Sequence, residues 1–83
     1  MNQAIQFLED EFIDEAKAAI VFSVFVDGYK RICAITINTL ADQFAEGEPL
    51  LVFERFRWDI EEIAEKAILS QLDDSEGYYW LSK

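Results

Sequence analysis

Apolar residues recur at three- and four-residue steps between Pro49 and Leu72, where Phe53, Phe56, Ile60, Ile63, Ala64, Ala67 and Ile68 fall on one stripe. That period predicts an amphipathic α-helix. Pro49 suits its first position, because its φ is already set and its missing N–H would be unpaired there anyway. As one continuous helix the stretch would be roughly 34 Å long, against about 30 Å for the diameter of a chain this size. The remaining elements are therefore expected to cover its stripe.

A different period governs the first half. Residues 19–26 (AIVFSVFV) are rich in β-branched and aromatic side chains and run directly into Asp27-Gly28. An Asp-Gly pair between two such runs predicts a hairpin with a type I′ turn, since both central positions need positive φ. A two-residue loop pairs Val26 with Tyr29, Val24 with Arg31, Phe22 with Cys33 and Ile20 with Ile35. One face then gathers Ile20, Phe22, Val24, Val26, Cys33 and Ile35. The other carries Val21, Ser23, Phe25, Lys30, Ile32 and Ala34, a mixed set to be covered by another chain segment or by a partner.

Weaker patterns fill in the rest. Residues 2–7 alternate well enough for an edge strand. Residues 12–16 follow three acids and predict a loop with at most one helical turn, Phe12 being free to tuck inward. Thr36 can cap a short helix over 37–45, with Leu40, Ala41 and Phe44 facing inward and Gly47 closing it in a left-handed conformation. Glu48 places an acid at the start of the long helix. The turn-prone residues 73–77 end it, and Tyr78–Leu81 has strand preference. The whole reads as one α+β domain over residues 1–83: a small antiparallel or mixed sheet of about four strands with two helices on one face.

Composition narrows the chemistry. The chain has no histidine, one cysteine and no glycine-rich loop. It therefore has no Ser-His-Asp or Cys-His pair, and Cys33 alone can neither form a disulfide within the chain nor complete a zinc site. Glu61 and Glu65 share a helical face but lack the second helix of a di-metal site. Residues 73–77 lack the spacing of a calcium loop. No enzyme, no cofactor and no metal are expected, and Cys33, on the core face of its strand, is expected to be inert. No charged leader opens the chain and no apolar run is long enough to span a bilayer, so a soluble cytoplasmic protein is expected.

Seventeen acidic against seven basic residues give a net charge of −10. Nucleic acids and anionic membranes should be repelled by it. Within this acidic chain Trp58 points away from the apolar stripe, with Leu51 and Leu69 in nearly the same direction and Arg55 and Arg57 beside them. Exposed tryptophan with arginine marks protein interfaces; alternatively Trp58 folds over a neighbouring loop, against Phe12 or the terminal strand. The Arg55–Asp59 and Glu62–Lys66 spacings suit ion pairs on a solvated helical face.

The order of these signals resembles a family of short bacterial proteins filed as domain of unknown function 1488. The resemblance is carried by MNQAIQF, by IVFSVFVDGYKRICAIT, by TLADQF and by FERFRWDIEEIAEKAI. In the last, Phe53, Arg57, Ile60, Glu61, Ala64 and Ile68 match the family pattern, with one extra residue between Glu61 and Ala64. Phe12 stands where a tryptophan would be expected. The resemblance implies a small α+β fold and brings no catalytic or binding residues with it.

The function expected is a small non-enzymatic bacterial protein acting through contact with an unidentified protein or with a second copy, through Trp58, Leu51, Leu69, Arg55 and Arg57. The alternative is an acidic mimic of nucleic acid that occupies a basic protein surface, with Glu61, Glu62, Glu65, Asp73, Asp74 and Glu76 gathered on one side.

Overall fold

A computed structural model describes residues 4–83. The Asp27-Gly28 turn organises the sheet. Both residues have positive φ, +52° and +86°, so strands β3 (Ala19–Val26) and β4 (Tyr29–Thr36) pair in the predicted antiparallel register, Val26 with Tyr29 through Ile20 with Ile35. Their apolar face forms the main core, with Ile20, Phe22, Val24, Cys33 and Ile35 fully enclosed.

On the outer edge of β3 lie two short strands, β1 (Ile5–Phe7) against Val24–Val26 and β2 (Phe12–Asp14) against Ala19–Val21. They are one edge strand interrupted at its middle. Opposite the gap the Ser23 backbone is still satisfied: its carbonyl accepts from the Leu8 N–H at 3.1 Å, and its N–H donates to the Asp10 carboxylate at 2.9 Å. The loop expected at residues 12–16 is thus in part a strand. Ile13 packs against the core while Phe12 stays 53% exposed, not tucked inward. Residues 2 and 3 of the first predicted strand lie outside the described residues.

Strand β4 leads into α1 (Ile37–Gln43), capped as predicted by Thr36, whose hydroxyl accepts from the Thr39 N–H at 3.0 Å. Gly47 does not close this helix. It lies four residues after Gln43, with φ +141°, in the link to α2. Glu48 caps α2 (Pro49–Arg55), its carboxylate accepting from the Leu51 N–H.

The predicted long helix is two helices, α2 and α3 (Arg57–Leu69), divided at Phe56, whose φ −105° and ψ 20° leave the helical region. Two aromatic rings, one before the division and one at it, serve different neighbours: Phe53 meets Phe22 of the sheet at 5.2 Å between ring centres, and Phe56 meets Phe44 of α1 at 5.3 Å. The run Phe-Arg-Trp has modest helix propensity, so packing decides. The apolar stripe survives the division: Phe53, Ile60, Ala64 and Ile68 are buried against the sheet, and Phe56 and Ile63 pack at its margin.

Strand β5 (Tyr78–Trp80) joins the far edge, parallel to β4. The result is a five-stranded mixed sheet, with β1 and β2 sharing one edge and β3, β4 and β5 following, and three helices. The expected α+β class holds, with one strand and one helix more than foreseen. The opposite sheet face is closed mainly by its own side chains. Ala19, Val21 and Ala34 are buried beneath Ile32 and Tyr78, and the Lys17 ammonium sits 5.0 Å from the Tyr78 ring centre. No helix is long and apolar enough to cross a membrane, among the described residues.

Candidate functional site

Trp58 lies in the first turn of α3 and is 86% exposed. It does not fold over Phe12 or the terminal strand. Leu51, on α2, is 66% exposed, and Leu69, at the far end of α3, 54%. Leu69 is eleven positions along the helix from Trp58, roughly 16 Å. Glu62 and Glu65 fall between them on the same side, so Trp58 and Leu69 mark a strip along α3 rather than one continuous apolar patch, and Leu51 lies across the division at Phe56. Around Trp58 a shallow concavity of about 400 Å³ is lined by Phe7, Asp59, Glu61, Glu62 and Glu65.

The two arginines placed beside this strip divide. Arg55 is exposed, its guanidinium 5.7 Å from the Phe56 ring centre. Arg57 turns inward. Its side chain is only 15% exposed, paired with Glu11 and, at 3.8 Å, with Glu61, and it lies over the Phe53 ring. Burial alone would lower the Arg57 pKa, but the Glu11 carboxylate overrides it and holds the guanidinium charged. Glu61 is pushed above the usual carboxylate range, first by burial, against the pull of Arg57, with Glu9 and Glu11 adding to the rise. The four-residue pair formed here is Arg57–Glu61 rather than the Arg55–Asp59 and Glu62–Lys66 pairs expected from spacing. Its link to Glu11 spans 46 positions, and no local pattern announces it.

Not all of the acids expected together stand free. Asp73 pairs with Arg31 at 3.0 Å. Asp74 builds the loop before β5, accepting from the Tyr78 and Glu76 backbone N–H groups and the Trp80 indole, and the Tyr78 N–H above all keeps its pKa low. These two carboxylates serve the fold, as does Glu61 through Arg57, which leaves Asp59, Glu62 and Glu65 exposed on α3. Cys33 is enclosed, and burial pushes its thiol up to about 12.

A second concavity, of about 650 Å³, went unforeseen. It runs between α3 and the C-terminal residues, with Phe44, Phe56, Ile63 and Leu81 along it and Lys66 and Glu62 at its rim. Lys83 straps that segment to α1, its backbone N–H and ammonium both donating to Gln43.

Fold and surface together define a small α+β protein whose helical layer presents an acidic strip carrying one exposed tryptophan. The chain belongs to the family described as protein of unknown function DUF1488, whose profile matches residues 5–81. It is 43% identical to the uncharacterized protein YrdB of Escherichia coli strain K12, over 98% of this chain and 99% of that one. It is 42% identical to the uncharacterized protein YrdB of Shigella flexneri, with the same coverage. A crystal structure of a DUF1488 protein of unknown function from Shewanella loihica PV-4 superposes with a TM-score of 0.92 at 35% identity, covering 100% of this chain and 97% of the other.

Proposed function

We propose that this is a cytoplasmic, non-enzymatic protein that works by contact with another protein, and that the contact surface is the solvent side of α2 and α3 centred on Trp58. One observation carries the reading: a tryptophan in the first turn of a well-packed helix is 86% exposed. Leaving so large an apolar side chain in water contributes nothing to folding, whereas at an interface its burial is worth several times that of an average residue. Leu51, Leu69 and the exposed Arg55 extend the surface along the helices. Arg57 supports it from below, holding the start of α3 to the edge strand through Glu11.

Catalysis has less to work with. Cys33 is sealed and protonated, and the chain has no histidine to titrate near neutrality. The acidic surface argues against direct binding to nucleic acid or to anionic membranes. The partner is a different protein or a second copy. Sedimentation of the purified protein across a concentration series, together with affinity capture from cell extract, both repeated with Trp58→Ala, tests the reading. A specific partner or a dimer that disappears in the variant supports it. Retention of every partner and of the same oligomeric state after Trp58→Ala removes it.

A further inference from the structure

We propose that the strip around Trp58 docks a cationic, amphipathic segment of another protein, with an arginine or lysine side chain entering the concavity between Trp58 and Phe7. The inference rests on the reading of this strip as a contact surface and adds the chemistry of the partner.

Charge decides the occupant. Four carboxylates, of Asp59, Glu61, Glu62 and Glu65, line the concavity with the two aromatic rings. One of them, Glu61, is paired with Arg57, whose guanidinium also holds Glu11, while Asp59, Glu62 and Glu65 are exposed and stand in no ion pair among the described residues. A cation seated there lies among carboxylates and two aromatic rings, the groups that attract arginine and lysine. A second copy of this chain is the wrong partner for the strip, because it would bring the same carboxylates against themselves at a net charge of −10 each. Nucleic acid and anionic lipid are excluded by the same sign. Leu69, exposed toward the far end of α3, favours a partner segment that runs along α3 and sets apolar residues beside its cations. A helix laid in a groove presents its side chains in this way.

The test uses two synthetic helical peptides of about fifteen residues, roughly the length of α3. One carries leucines at three- and four-residue steps flanked by arginines; the other has glutamates in place of the arginines. The side-chain N–H of Trp58, followed by NMR, reports binding at the strip. The arginine peptide is expected to shift it saturably and more weakly as salt is raised. The double variant Glu62→Gln/Glu65→Gln is expected to weaken binding about tenfold or more, while Asp42→Asn/Glu46→Gln, which removes the same charge from the α1 region, changes it by less than about twofold. An equal loss in both variants would mean attraction to net charge alone and would overturn the proposal. So would a Trp58 signal that moves with the glutamate peptide as readily, or a dimer abolished by Trp58→Ala; either leaves the contact surface standing with a different partner. A Trp58 signal that neither peptide moves, in a protein that stays monomeric and captures nothing through Trp58, brings down both readings.

Discussion

Single residues carry the sharpest consequences. The Asp10 carboxylate is the clearest case: burial works against its charge, yet the Ser23 N–H it accepts holds its pKa below the ordinary 3.8. A pKa lowered by folding means that the charged form stabilises the fold. The contribution is fully present above the ordinary value and is lost as pH falls through the folded one. Asp10→Asn is therefore expected to cost about 1 kcal/mol at neutral pH, since Asp10 is largely exposed and water weakens the bond. Urea unfolding of both proteins at pH 7 and near pH 2 should show that difference shrinking in acid. Glu61 has the opposite sign. Its raised pKa means that protonation favours the folded state as pH drops toward its ordinary 4.5. Cys33, with its thiol pushed up to about 12, is predicted to resist alkylation in the native protein. Its modification rate with iodoacetamide at pH 8 should follow global unfolding, and rapid native labelling would show the strand opening locally.

Among the elements, the β3–β4 hairpin was the most legible in the sequence. The Asp-Gly pair sets a turn with positive φ at both positions, and that turn alone fixes which face of eight residues goes inward. Gly28→Ala leaves open space around the new methyl group but forces φ +86° on a residue with a Cβ. A loss of about 1 kcal/mol in unfolding free energy is expected, with the register intact. The helical segment was legible in its stripe but not in its division, because Phe53 and Phe56 choose partners, Phe22 and Phe44, that lie far away in sequence. Strand β2 escaped for a related reason. Three residues among acids carry no period of their own and become a strand because β3 offers an open edge. Phe53→Ala is expected to cost about 3–5 kcal/mol, read from chemical denaturation, since its fully enclosed ring bridges sheet and helix.

At the scale of the molecule, the helices close one sheet face while long side chains close the other, and the acids of α3 lie outside both. The outward direction of Trp58 could be read from its place on the helical wheel, but not whether a neighbouring loop covers it. The inward turn of Arg57 could not, because it depends on Glu11, brought alongside by the edge strand. This arrangement separates what holds the fold from what meets a partner: the seam of Phe53, Ile60, Ala64 and Ile68 does the first, and Trp58 is free for the second. The midpoint of urea denaturation of Trp58→Ala, followed by circular dichroism beside the unmodified protein, tests that separation most directly. Unfolding free energies within about 0.5 kcal/mol of each other are expected. A loss of several kcal/mol would place the indole in the core and contradict that separation.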